Sequence, residues 1–121
     1  MKASERIRQR LKEKDVRFHS NDNIADFVEQ GELEELQKEV EDSFSGVLDA
    51  LVIDTENDHN TKETARRVAK MYIKEIFGGR FIQPPKITSF PNMGYRSLYT
   101  SGPISVKSTC AHHFQNIVGK C

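Results

Sequence analysis

The sequence predicts an α+β fold in which N-terminal helices are followed by an antiparallel sheet that is incomplete at the C-terminus. In three segments, residues 4–14, 32–53 and 62–77, the apolar side chains recur at helical spacing. Beyond Pro84-Pro85 the period changes to two, and β-branched residues alternate with turn residues. Helices grouped ahead of strands are typical of α+β domains. The 121 residues suffice for one modest core.

Two helices are predicted in the first part of the chain. Residues 4–14 form a short, charged helix whose apolar contacts are Ile7 and Leu11. The pattern breaks over residues 16–23, so we expect a mobile segment there, or an arm that reaches a neighbouring subunit. A long helix follows over residues 32–53, and its glutamates lie opposite an apolar stripe. The stripe consists of Leu33, Leu36, Val40, Phe44, Val47, Leu48 and Leu51.

A third helix with a basic stripe is predicted after the turn residues 54–60. Asn60 is a suitable N-cap with Glu63 as its capping-box partner, and Gly78-Gly79 ends the helix. One face is apolar, while four basic side chains fall within an arc of roughly 100° on the other. They are Arg66, Arg67, Lys70 and Lys74. This stripe fits either a solvated face or a surface that contacts phosphate groups. Periodicity does not separate these alternatives.

The remaining residues predict strands. Residues 86–90, 96–100 and 104–109 are rich in β-branched residues and are separated by turn residues, and residues 113–120 begin a further strand. Because the sequence reaches Cys121 without a turn or stop signal, we expect the sheet to be unfinished there.

Composition excludes several classes of protein. Eighteen basic residues balance eighteen acidic ones, which argues against a nucleic-acid partner because such partners require a basic excess. No apolar run approaches the roughly 20 residues of a membrane helix, and the N-terminus lacks the apolar region of a signal peptide. We therefore expect a cytoplasmic protein, in which Cys110 and Cys121 are free thiols or metal ligands rather than a disulfide.

The segment Cys110-Ala111-His112-His113 is the most informative in the chain. A thiolate and an imidazole three residues apart can converge on one ion where a strand ends, and zinc accepts this mixture of ligands. Of two adjacent histidines, one can bind the metal while the other acts as a general acid or base. Taken alone, the motif is a weak signal, and a buried cysteine beside surface histidines explains it somewhat better than a metal site.

Two motifs together resemble the GTP cyclohydrolase I family. Residues 63–72, ETARRVAKMY, continued by Glu75-Ile76-Phe77 and Gly79, are similar to that family's helix ETPxRVAKMYxxEIFxG. Residues 108–114, STCAHHF, continued by Gly119-Lys120, are similar to its segment STCEHHxxxxxGK. The likeness covers residues 54–121, so we divide the chain into an N-terminal helical region, 1–53, and the start of the family's domain, 54–121.

The resemblance implies roles for individual residues. Cys110 and His113 would be zinc ligands, and His112 would transfer protons at the attacked purine carbon. Arg67 and Lys70 match positions that the family directs at the triphosphate across a subunit boundary, although a solvated face would carry the same residues.

The resemblance also implies the fold, the assembly and the chemistry. The fold would be the tunnelling fold, or T-fold, whose sheets join into a barrel, and the family's homo-oligomer is a decamer. The enzyme would be a zinc-dependent hydrolase that opens the imidazole ring of GTP, giving 7,8-dihydroneopterin triphosphate and formate. The product could enter folate, biopterin or deazapurine synthesis, and the sequence does not choose among them.

The sequence departs from the family pattern in three ways. Ala65 replaces a proline in the first turn of the helix, which we expect to be mild. Ala111 replaces a glutamate beside the ligands, which we expect to impair activity without abolishing it. The family's third zinc ligand and its guanine-reading carboxylate lie downstream of Cys121, so we expect a truncated domain. Cys121 could in principle be a substitute ligand, but its position has no such role in the family.

Two other functions remain open. The chain could be a catalytically inactive fragment that oligomerises or binds metal weakly. It could also be a T-fold enzyme for a different substrate, as in related pterin or deazapurine enzymes, although the two motifs together disfavour this alternative.

Overall fold

The computed structural model describes residues 1–121 and confirms the α+β class. Four helices, α1 (Ala3–Glu13), α2 (Glu32–Ala50), α3 (Thr64–Met71) and α4 (Gly78–Phe81), precede two strands, β1 (Ser105–Thr109) and β2 (Asn116–Lys120). A 3-10 turn, Ala25–Phe27, lies before α2, and a π-helical segment, Tyr72–Ile76, follows α3. No helix combines the length and apolarity needed to cross a membrane.

The chain forms two compact units, residues 1–83 and residues 84–121. The boundary at residue 53 proposed above concerns where the family likeness begins, and it stays a prediction.

The core of the first unit lies between helix α1 and the segment that precedes α2. Ile7, Leu11 and Ile24 are buried together, and Leu11 is only 2% exposed. Partly buried apolar residues close the cluster from other elements, namely Val16, Phe18, Phe27, Val28, Leu36 and Phe81. The two apolar contacts predicted for the first helix are therefore its buried face.

The prediction of a mobile segment or arm over residues 16–23 is wrong, because these residues fold back onto helix α4. The Arg80 guanidinium donates to the carbonyls of Phe18 at 3.2 Å and Asp22 at 3.0 Å, and also to that of His19. In the other direction, Ile24 N–H donates to the Arg80 carbonyl at 2.8 Å. Burial lowers the pKa of the Arg80 guanidinium, and the carboxylate of Asp22 partly offsets this effect. One half-buried cation thus satisfies the polar backbone of an irregular segment.

A buried carboxylate joins α1 to the first turn of α2. Glu32 is 3% exposed and accepts from Arg6 Nε at 3.0 Å, from Arg10, and from Glu29 N–H at 2.9 Å. Burial raises the pKa of the Glu32 carboxyl, but these hydrogen bonds outweigh it, so the pKa lies below its ordinary value. The carboxylate is therefore ionised and paired.

Helix α2 ends at Ala50, earlier than the predicted residue 53, because the chain enters a Schellman motif. Val52 N–H donates to the Asp49 carbonyl at 3.0 Å and Ile53 N–H to the Leu48 carbonyl at 3.2 Å. Val52 adopts φ 61, a left-handed conformation that is unfavourable for a β-branched residue.

The third helix differs from its prediction at both ends. Asn60 does not cap it, because residues 58–63 are turns in which the carboxylate of Asp58 accepts from Asn60 N–H and Thr61 Oγ1. The helix begins at Thr64. At its far end Phe77 N–H donates to the Tyr72 carbonyl at 2.8 Å, the five-residue spacing of a π-turn. Gly78-Gly79 opens the short helix α4 rather than ending helical structure.

The second unit contains one antiparallel hairpin, in which Ser105 pairs with Lys120 and Thr109 with Asn116. The prediction of strands at residues 86–90 and 96–100 is wrong for this structure, because these residues have no ladder partner. Strands exist only as pairs, and alternation in one segment cannot supply the second.

Candidate functional site

The Cys-x-His-His motif occupies the turn of the β1–β2 hairpin. Beyond the last strand pair, Cys110 N–H donates to the Gln115 carbonyl at 2.9 Å, which extends the ladder by one residue. Inside the turn, Phe114 N–H donates to the Cys110 carbonyl at 2.8 Å, and Phe114 reverses the chain in a left-handed conformation at φ 53. The turn therefore holds Cys110, His112 and His113 within one short loop.

The structure brings Cys110 together with His112. The Cys110 Sγ lies 3.5 Å from His112 Nδ1. The cysteine is a half-buried free thiol, while His112 and His113 are exposed. This contact involves His112, the predicted proton-transfer residue, and none is recorded for His113, the predicted ligand. The roles of the two histidines stay predictions.

The donors at the turn fit zinc in type but not in number. Zinc–sulfur and zinc–nitrogen bonds of about 2.3 and 2.0–2.1 Å at a tetrahedral angle place sulfur and nitrogen about 3.5–3.6 Å apart. The Cys110–His112 separation equals this edge, but it joins the cysteine to the predicted proton-transfer residue and not to the predicted ligand His113. A catalytic zinc needs three protein ligands, and no group of three His, Cys, Asp or Glu side chains in residues 1–121 could hold a metal.

Cys121 lies at the other end of the hairpin. Its N–H donates to the Ile104 carbonyl at 2.8 Å, just beyond the pair formed by Ser105 and Lys120. About five residues of strand at roughly 3.3 Å each therefore separate it from the Cys110 turn. Within this hairpin, Cys121 cannot serve as the substitute ligand.

The basic stripe of α3 is exposed, but its members differ. Arg66 is paired with Glu63, 2.6 Å away, and this contact lowers the pKa of the Glu63 carboxyl. Arg67 and Lys70 are exposed and form no ion pair. Of the four predicted basic residues, Arg66 is thus partly neutralised, and the two residues proposed for phosphate are available.

Lys107 and Lys120 are not among the predicted site residues, although Lys120 belongs to the second of the two motifs. Alternation along β1 and the register with β2 place both lysines on the same face of the hairpin, with Val118 directly opposite Lys107. The signal was present in the period of residues 104–109, but the register with the second strand was needed to pair the two lysines.

The comparisons with known proteins agree on one family. The sequence model of the GTP cyclohydrolase I family matches residues 40–121. A protein of Flavobacterium johnsoniae named GTP cyclohydrolase 1 is 35% identical over 114 residues, which are 88% of this chain and 49% of that protein.

Two further relatives carry the same name. The protein of Actinobacillus pleuropneumoniae is 39% identical over 84 residues, 68% of this chain and 38% of its own. That of Vibrio vulnificus is 38% identical over 89 residues, 72% of this chain and 41% of its own. The chain spans about half the length, or less, of the curated relatives that it matches.

Proposed function

The chain belongs to the GTP cyclohydrolase I family, and from this premise we propose that it takes part in the zinc-dependent opening of the imidazole ring of GTP. The products would be 7,8-dihydroneopterin triphosphate and formate. The observation that supports this most directly is the 3.5 Å contact between Cys110 Sγ and His112 Nδ1, because it gathers a soft metal donor and a proton-transfer group in one turn.

Cys110 and His113 are the proposed ligands from this chain. Together they supply two of the three protein ligands that a catalytic zinc requires, so a third ligand is the missing part of the centre. Bound zinc would supply a Lewis acid that lowers the pKa of water to about 7.

His112 is the proposed proton-transfer residue. It is exposed on the turn, where substrate can reach it, and its Nδ1 faces the Cys110 sulfur. When one ring nitrogen is held by a neighbour, the other is left to exchange a proton with the ring nitrogen of the purine. In the proposal, the thiol therefore also orients the imidazole.

Arg67 and Lys70 are the proposed triphosphate contacts. Both are exposed, and neither has a carboxylate within ion-pair distance. We propose that the chain assembles into a homo-oligomer, in which these side chains would contact the triphosphate of the substrate bound by an adjacent subunit. We also propose that this enzyme works in the cytoplasm.

The alternative is a catalytically inactive fragment of the family that oligomerises or binds metal weakly. Such a fragment would supply only two ligands to a metal, and two ligands hold zinc less firmly than three.

One experiment separates these alternatives: zinc content and formate release from GTP, measured on the purified full chain and on two cysteine variants. We expect Cys110→Ser to lose zinc and formate release, while the matched control Cys121→Ser keeps both. Zinc binding without formate release supports the inactive fragment. Equal zinc content in Cys110→Ser and the parent would refute the proposed centre.

A further inference from the structure

The charges of this neutral chain are segregated along the sequence. All eighteen acidic residues lie before residue 76. Residues 84–121, the second compact unit, contain no Asp or Glu. The charged side chains of that unit are Lys86, Arg96, Lys107 and Lys120. The unit is thus cationic, although the balance over the whole chain conceals it.

Two of these cations share one face of the β1–β2 hairpin. Lys107 pairs with Val118, and Lys120 lies two residues further along the same strand, opposite Ser105. Such diagonal neighbours lie about 7–8 Å apart, and somewhat less at their Cβ atoms, which is within reach of long side chains. Both lysines are exposed and neither forms an ion pair. Two like charges held at this distance repel each other, and an anion between them would relieve the repulsion.

The rest of this face is made of hydrogen-bond donors. The pairs formed by Ser105 with Lys120 and by Thr109 with Asn116 add two hydroxyls and an amide. Val118 is the apolar member, and no carboxylate lies on either strand. Lysine, serine, threonine and asparagine side chains are the groups that commonly contact phosphate oxygens.

The lysine face is distinct from the proposed zinc centre. Side chains alternate along a strand, so Lys107 and Thr109 lie on one face, while Val106, Ser108 and Cys110 lie on the other. The ladder pair of Cys110 with Gln115 continues this alternation. A ligand on the lysine face therefore does not need the Cys110–His112 pair.

We propose that the face defined by Ser105, Lys107, Thr109, Asn116 and Lys120 is a second binding site, for the polyphosphate group of a small molecule. The two lysines carry two positive charges, so they can offset two of the negative charges of a di- or triphosphate. Two lysines supply far fewer phosphate contacts than the roughly 6–10 that give a nucleic-acid-binding protein its steep salt dependence, so the face favours a small polyphosphate.

The test is an NMR titration of the ¹⁵N-labelled full chain with inorganic triphosphate at neutral pH and low salt. We expect saturable shifts in the amides of both strands. The double variant Lys107→Gln/Lys120→Gln should weaken binding about tenfold or more, because two charge-assisted contacts are lost. The matched control, Lys86→Gln/Arg96→Gln, removes the same charge from the same unit outside the strands. It should change the dissociation constant less than about threefold.

Three results would overturn the proposal: no saturable binding, equal weakening in both double variants, or shifts confined to the turn residues 110–115. A second arm uses a short single-stranded oligonucleotide, and much tighter binding of it than of triphosphate would assign the face to nucleic acid instead. Formate release from GTP is read separately, so failure of the proposed activity would leave this result unaffected.

Discussion

Replacing Glu32 with glutamine removes the buried charge that holds helix α1 against helix α2. The carboxylate side chain is only 4% exposed, whereas the side chains of its partners Arg6 and Arg10 are 33% and 26% exposed. Glutamine keeps the shape but offers one acceptor oxygen in place of two charged ones. The variant therefore isolates the charge from the packing.

The magnitude lies between two limits. Breaking a fully buried pair costs about 3–5 kcal/mol, because the remaining charge stays desolvated, whereas an exposed pair contributes about 0–1 kcal/mol. Here the two arginines can each turn toward water, which reduces the first limit. We expect Glu32→Gln to lower the free energy of unfolding by about 2–3 kcal/mol.

The assay is urea unfolding at neutral pH, followed by far-ultraviolet circular dichroism, since every α-helix lies in residues 1–83. The matched control is Glu35→Gln. Glu35 also accepts from Arg6, at 2.9 Å, but its side chain is 54% exposed, so we expect a loss below about 1 kcal/mol. If the two variants unfold at the same urea concentration, the argument from burial is wrong.

Three further predictions concern the same unit. The folded-state pKa of Glu32 lies below its ordinary value. The carboxylate therefore contributes to the free energy of unfolding above about pH 4.3, and this contribution is lost as the pH falls through the folded pKa. In urea titrations below about pH 4, the difference in stability between the parent and Glu32→Gln should therefore narrow. Val52→Gly should raise the free energy of unfolding by about 0.5–1 kcal/mol, because glycine adopts φ 61 without strain. The control, Val47→Gly inside α2, should instead lower it by about 1 kcal/mol. If Val52→Gly is less stable than the parent, the argument from backbone strain at Val52 is wrong. Arg80→Ala should lower the free energy of unfolding by about 2 kcal/mol and speed amide hydrogen exchange over residues 18–24, since three carbonyls lose their donor. The control is Lys74→Ala, at an exposed position, and equal exchange rates in the two variants would show that Arg80 does not hold this segment.

Local sequence signals placed most of the helical unit correctly. The spacing of Ile7 and Leu11 identified the buried face of the first helix. The apolar face of the predicted third helix is also turned inward, since Ala69 in α3 and Ile73 in the following π-helical segment are buried. These predictions succeed because a helix repeats every 3.6 residues, so its buried side can be read from a single segment. The α+β order was equally local, as a change of period after Pro84-Pro85.

Features that depend on distant partners were not predictable in this way. Arg80 donates to carbonyls about sixty residues earlier in the chain, and no pattern in residues 16–23 predicts these contacts. The prediction of strands at 86–90 and 96–100 was wrong for the same reason. A strand needs a neighbouring strand to pair with, and alternation within one segment does not identify that partner. The π-turn at Tyr72 was not predicted either. The Tyr72 ring lies 6.0 Å from the rings of Phe44 and Phe77, so the turn accompanies packing between elements, which helix propensity does not describe.

The candidate site divides along the same line. By itself the sequence determined which donors are present, a thiol and two imidazoles within four residues, and the family to which the chain belongs. Only the tertiary structure decided that the sulfur contacts His112, that Cys121 lies at the far end of the hairpin, and that Lys107 and Lys120 share a face. The physical reason is that the identity of each residue fixes the chemistry of its side chain, whereas the distance between two side chains depends on how the backbone turns and on which strands pair.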